Sequence, residues 1–179
     1  MFETGQLIVY GGTGVCEVDG IETREVPGTQ DKKLYYTLRP VYSKGSKIYT
    51  PVNNEKVVMR PLITKSEANT LINRIGDMDI LQEENMNLRD KMYKKILYSC
   101  DAESCTRIIK TLYIRKNKRQ SAGKRVTAND AKYIHLTEEF LFGELALAIG
   151  VPKDEIQNVV TNEVEKLCPV TSFDEESIS

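Results

Sequence analysis

The sequence predicts an α+β protein: a small β barrel or curled sheet over residues 1–62, then an all-helical module. Three observations carry this prediction. Up to residue 62, short β-rich runs recur at roughly 8–12-residue spacing, punctuated by Gly, Pro and Asn. From Thr64 the apolar period changes to that of a helix. Charge changes too: residues 1–85 carry a net −2, residues 86–136 a net +9 and residues 137–179 a net −8, hidden within a total of −1.

The β elements follow in order. Residues 6–10 form a short strand, and Gly11-Gly12-Thr13-Gly14 a turn. Residues 15–26 alternate over a long second strand, with a turn cluster at 27–31. Residues 33–41 make a third strand around Tyr35, Tyr36 and Leu38. Gly45 breaks the chain, and strands at 47–51 and 56–62 follow, with Pro51 and Pro61 at strand ends or edges, where a missing N–H does least harm.

Thr64-Lys65-Ser66-Glu67 is a capping-box pattern for a helix trailing the β module over 64–76. The helical module spans 77–170. It holds a linker at 77–82 and helices at 84–98, at 101–116 with Asp101 as cap, and from Thr127 to 149. Gly150-Val151-Pro152 ends that helix, and a last one runs over 153–167. Residues 171–179 are expected to be an acidic, disordered tail.

Enzyme chemistry finds little material. The glycine run lies between strands, so no helix N–H groups stand behind it to cradle a phosphate. His135 has no nucleophile or acidic partner at an interpretable spacing, and Cys100 and Cys105 do not have zinc-knuckle spacing. No catalytic residue, metal, cofactor or small-molecule ligand is expected. The longest nearly uncharged apolar stretch, 145–152, is too short for a membrane span, and Met1-Phe2-Glu3-Thr4-Gly5 is not a secretory signal. A cytoplasmic location with reduced cysteines follows as the expectation.

The basic middle points to a polyanion partner. On the helix at 84–98, Leu88, Met92 and Ile96 form an apolar stripe widened by Tyr93 and Leu97. Lys91, Lys94 and Lys95 occupy the opposite side, and Arg89 the boundary. Met86 starts the helix at the edge of the apolar arc. It is either a core methionine or an exposed apolar tip among cations, the arrangement a minor-groove wedge requires.

Five ordered segments carry a resemblance. They are Phe2–Tyr10 with Gly5-Gln6-Leu7-Ile8-Val9-Tyr10, Gly20-Ile21-Glu22-Thr23-Arg24, Tyr49-Thr50-Pro51-Val52-Asn53-Asn54, Ser121-Ala122-Gly123-Lys124 and Phe142-Gly143-Glu144-Leu145-Ala146-Leu147-Ala148. Over about residues 1–150 the chain resembles the CarD/CdnL family of bacterial transcription regulators. The family's β module is also similar to the polymerase-interacting domain of transcription-repair coupling factors. The resemblance implies a Tudor-like, SH3-like β barrel that binds the RNA polymerase β subunit, with Arg24 as basic contact and Ile48 and Tyr49 beside it. It also implies a helical domain contacting promoter DNA at the upstream edge of the bubble, largely independent of sequence, to stabilise the open complex. Met86 falls where the family places a wedge tryptophan, which this chain lacks. Arg89, Lys91, Lys94, Lys95, Lys124 and Arg125 are the expected DNA contacts. The alternative is an adaptor of polymerase or a repair ATPase that does not bind DNA directly.

Overall fold

The computed structural model describes residues 1–26, 28, 31–43 and 45–167. The expected tail at 171–179 and most of the turn at 27–31 therefore lie outside the described residues. Five strands form one antiparallel sheet: β1 (Leu7–Tyr10), β2 (Gly14–Glu25), β3 (Lys32–Pro40), β4 (Ile48–Pro51) and β5 (Met59–Pro61), in the order β4-β3-β2-β1-β5. Six α-helices follow: α1 (Lys65–Asn73), α2 (Met86–Ser99), α3 (Ala102–Ser121), α4 (Ala128–Thr137), α5 (Gly143–Ile149) and α6 (Lys153–Glu165). The class is α+β, as the sequence predicts, with a Tudor-like sheet first and helices after it.

Alternation along β1 and β2 gives the sheet two buried faces. Ile8, Cys16 and Val18 point into the sheet's own core with Tyr36 and Leu38, and Phe2 and Ile48 close it. Val9 and Val15, one residue out of phase, point the other way into the helical core. The two modules thus share apolar contacts. They are also tied by charge. Glu144 of α5 is fully buried and accepts from Arg60 Nη2 of β5 at 2.7 Å and from the Ile63 amide at 3.1 Å. Arg60 Nε donates to the Cys100 carbonyl in the α2–α3 turn at 2.7 Å.

The glycine turn shows why glycine is there. Gly12 and Gly14 have φ of +80° and +94°, and a Cβ on Gly12 would lie 2.6 Å from the Tyr98 ring of α2. Asp19 is the extra residue of a bulge between Val18 and Gly20, and its carboxylate meets Lys47 at 3.1 Å.

The helix starts follow their caps. The Thr64–Glu67 capping box is complete, Asp101 accepts from the Ser104 amide and Thr127 from the Asp130 amide. Several elements differ from expectation: the strand expected at 56–62 is confined to Met59–Pro61, and the helix expected at 64–76 ends at Asn73 and is followed by a 3-10 turn, Ile75–Asp77. The helix predicted to end near 116 continues to Ser121, carrying Lys118 and Arg119 into its last turn, where cations are favourable beside exposed carbonyls. The single helix expected from Thr127 to 149 is split by a π-helical turn, Glu138–Phe142. Phe140, Leu141 and Phe142 of this turn are consecutive and all buried.

Candidate functional site

The outer face of β2, β3 and β4 brings together residues distant in sequence. Tyr49 on β4 opposes Thr37 on β3, and Glu22 and Arg24 lie beyond on β2. The Arg24 guanidinium stacks 3.6 Å from the centroid of the Tyr49 ring. Its Nη2 lies 2.8 Å from Glu22 Oε1, which also accepts from Thr37 Oγ1 at 2.8 Å. The Thr37 hydroxyl, and then Arg24, hold the Glu22 carboxyl below the usual carboxylate range. Arg24 is therefore oriented before any partner arrives, and Tyr49 is 45 % exposed. Beside them, β4 is an edge strand: it pairs with β3, and no strand among the described residues pairs with its other edge.

Ile48 does not belong to this face. It opposes Leu38 and packs against the sheet's inner core, because successive side chains on a strand point to opposite sides. Its expected role as a polymerase contact is corrected on that ground. Glu22 and Thr37 are the members that sequence reasoning missed; only the sheet order β4-β3-β2 brings them beside Arg24 and Tyr49.

The second surface is the start of α2. Its approach is pinned to α3: Lys110 Nζ donates to the Gly76 carbonyl at 2.8 Å, Arg107 Nε to the Asp79 carbonyl at 3.1 Å, and the Leu81 amide to Thr111 Oγ1 at 2.9 Å. Asn85 then caps the helix through the Asn87 and Leu88 amides, so α2 begins at Met86. Met86 is 61 % exposed and Leu88 51 %. Both are apolar groups on the surface at a fixed helix start.

Of the apolar arc expected at Leu88, Met92 and Ile96 and widened by Tyr93 and Leu97, Tyr93 and Leu97 are buried, Met92 and Ile96 pack partly against the same core, and Leu88 is exposed. The buried line is Arg89, Tyr93 and Leu97. Tyr93 meets Tyr133 of α4 edge-on, with centroids 5.1 Å apart, and Tyr133 donates to Asp90 Oδ1 at 2.6 Å. These contacts set the helix rotation. Arg89 is consequently only 5 % exposed, and its Nη1 donates to the Glu83 carbonyl at 3.1 Å. Its expected DNA contact is corrected: a long side chain at the stripe's boundary has been drawn inward, where a backbone acceptor awaits it.

The remaining cations separate by pairing. Lys94 lies 2.8 Å from Asp90 and Lys132 3.9 Å from it on the other side, while Arg115 meets Asp130 at 3.1 Å. Lys94, then Tyr133, holds the Asp90 carboxyl below its usual range. Lys91, Lys95, Lys118, Lys124 and Arg125 are exposed and have no ion pair among the described residues. Asp90 reaches Tyr133 of α4, and Arg115 reaches Asp130 in the first turn of α4. The start of α2, the end of α3 and the start of α4 therefore lie toward one end of the helical module. Arg119 Nε, donating to the Arg125 carbonyl at 2.8 Å, folds the α3–α4 loop back on that end. Lys118 and Arg119 were visible as charges; their place on a helix was not.

Catalytic material is sparse. His135 is exposed on α4, and no cluster of three metal-ligating side chains occurs among the described residues. Cys16, Cys100 and Cys105 are buried free thiols, and burial pushes Cys16 up to about 12 and Cys100 up to about 11. Cys168 lies outside the described residues. No helix among them is long and apolar enough to cross a membrane.

Residues 2–63 match the family model described as the CarD-like/TRCF RID domain. The match covers the whole β module and stops one residue before the cap of α1. It takes in both Arg24 and Tyr49.

Proposed function

We propose that this CarD-like protein, whose N-terminal module is an RNA polymerase-interacting domain and which is therefore a transcription-related, polymerase-interacting protein, acts without catalysis as a regulator of open-complex stability. In this reading the Arg24–Tyr49 face and the outer edge of β4 dock on the polymerase β subunit, the edge by adding to a strand of the partner. The helical module then presents Met86 to promoter DNA at the upstream edge of the bubble, with Lys91, Lys95, Lys124 and Arg125 toward the phosphates. Lys94 contributes less, because Asp90 already neutralises it. The observation that carries the reading is the domain match over residues 2–63, which includes the pre-oriented Arg24–Tyr49 stack. An apolar wedge favours melted over closed DNA without a base code, and tethering to polymerase supplies the effective concentration.

The test uses the full chain, since Val9 and Val15 belong to the helical core and a cut after α1 would expose it. Capture of purified β subunit by Arg24→Glu and Tyr49→Ala variants should fall by about tenfold or more, given what oriented charge and aromatic groups contribute at interface centres. Undiminished capture by both would overturn the docking face.

The burial of Arg89 and the pairing of Lys94 give the adaptor reading a specific support, because they remove two of the expected DNA contacts. Salt separates the two readings. Binding of a forked duplex by the regulator should weaken steeply with salt, and replacing Lys91, Lys95 and Lys124 by Ala should flatten the slope by about 1 for each phosphate no longer neutralised. The adaptor would show no measurable binding.

A further inference from the structure

The face of α2 that carries its lysines ends on an aromatic ring at the junction with the sheet. Lys91, Lys94, Lys95 and Tyr98 are spaced i, i+3, i+4 and i+7, and all four are exposed, Tyr98 at 62 %. The Tyr98 ring lies against the glycine turn, where Gly12 has no Cβ to push it away. It forms one wall of a cleft of about 280 Å³ between that turn, α2 and α4. Leu97, Tyr133, Leu136 and Phe140 supply the apolar lining, and Leu136 is itself 41 % exposed. Lys94 and Lys132 line the same cleft and share a single carboxylate, Asp90, while the cleft's Glu139 is matched by Lys153 at 2.6 Å. Lys91 and Lys95 have no ion pair among the described residues, so the surplus around the ring is cationic.

We propose that this cleft receives one unpaired base of single-stranded DNA, stacked on Tyr98, with the neighbouring phosphates on Lys91, Lys94, Lys95 and Lys132. A row of cations along a helix suits a polymer that carries an anion on every unit, and an aromatic ring at the end of the row suits the base between those anions. The seven residues of helix from Lys91 to Tyr98 span about 10 Å, the length of two or three nucleotides. The glycine turn backs the ring before a strand arrives, so stacking requires little further ordering. A base inside a duplex already has its faces stacked, whereas an unpaired base gains an aromatic partner and leaves water. No Asn, Gln or Arg side chain among the described residues lines the cleft to pair with a base edge, so the site accepts any base. It stands at the opposite end of α2 from Met86. The proposal rests on the function proposed above for the source of the strand, the melted promoter, and for nothing else.

The experiment measures the fluorescence anisotropy of a labelled oligothymidylate, and of an abasic strand of the same length, with the full chain. Tyr98→Leu keeps an apolar side chain on the glycine turn but removes the ring. It should weaken the oligothymidylate about tenfold, the loss expected for one base–aromatic stack, and leave the abasic strand unchanged. Tyr98→Phe should bind as the parent does. Replacing Lys91 and Lys95 by Ala should weaken both strands and flatten the salt slope by about 0.7 for each phosphate no longer neutralised. In the parent chain, the Tyr98 ring-proton resonances should move upfield on adding the oligothymidylate and stay in place with the abasic strand, a readout that needs no variant. The proposal is overturned if the parent does not bind the oligothymidylate, if Tyr98→Leu weakens neither strand or both alike, or if the ring protons do not move. Loss of β-subunit capture by Tyr98→Leu, with oligothymidylate binding intact, would make the cleft a protein-docking surface and overturn it too. The function proposed above fails separately: Met86 variants without effect on open-complex lifetime would remove the wedge and leave the base cleft standing.

Discussion

Met86 is exposed at the first position of α2, with Asn85 rather than its own side chain fixing the helix start. Met86→Ala should therefore leave stability within about 0.5 kcal/mol, as surface changes do, yet shorten the lifetime of the open complex. Met86→Trp should lengthen it, because an indole offers more stacking area to an unstacked base pair. Thermal unfolding and open-complex decay measured on both variants check this, and no gain in lifetime with Trp would sink the wedge. Arg89 is the opposite case. Its guanidinium is buried and holds the Glu83 carbonyl, so Arg89→Ala should cost about 1–3 kcal/mol through the unsatisfied acceptor and the packing removed. Urea unfolding measures that cost, whereas Lys91→Ala, on the exposed side, should be near neutral.

Between elements, Asp90 joins α2 to α4. It pairs with Lys94 on its own helix, and from α4 it takes the Tyr133 hydroxyl and faces Lys132. Its carboxyl is held low, chiefly by Lys94 and then Tyr133, and Lys94 is in turn held high by Asp90. A depressed carboxylate contributes stability that is complete above its unfolded value, about 3.9, and lost as pH falls through the lower folded value. A raised lysine contributes below about 10.4 and loses its share as pH rises through the higher folded value. Asp90→Asn should thus be less stable than the parent by a constant margin between about pH 4 and 10, narrowing at both ends. Denaturant midpoints across that range measure the margin. A gap that persisted unchanged at about pH 2 would mean that the Asp90 charge is not what joins the helices.

For the whole molecule, the junction between sheet and helices is the feature most exposed to a single change. Glu144 is fully buried, and its partners, Arg60 and the Ile63 amide, both come from the chain leaving the sheet. Glu144→Ala leaves a guanidinium and an amide without their acceptor and should cost about 3 kcal/mol or more. Because Val9 and Val15 are part of the helical core, sheet and helix should still melt together. Far-UV circular dichroism and tyrosine fluorescence, in a chain with nine tyrosines and no tryptophan, should give coincident unfolding curves. Separate transitions would show that the modules fold independently.

Much of this was legible in the sequence because it depends on residues within a turn or two of each other. The strand runs, the capping groups at Thr64, Asp101 and Thr127, and the basic block all follow from local spacing, and the match to known domains rests on the same local strings. The exposure of Met86 was left open, because one helix face cannot show which neighbours will cover it. Tertiary structure decided the rest. It centred the buried face of α2 on Tyr93 and Leu97, burying Arg89 and exposing Leu88, because Tyr133, which packs on Tyr93, is supplied by α4. It set Ile48 inward and Tyr49 outward, since the side a strand buries depends on the sheet it joins. And it placed Arg60 against Glu144 across 84 residues of sequence, a pairing that no local pattern encodes because the free energy of burying those charges exists only once both are enclosed together.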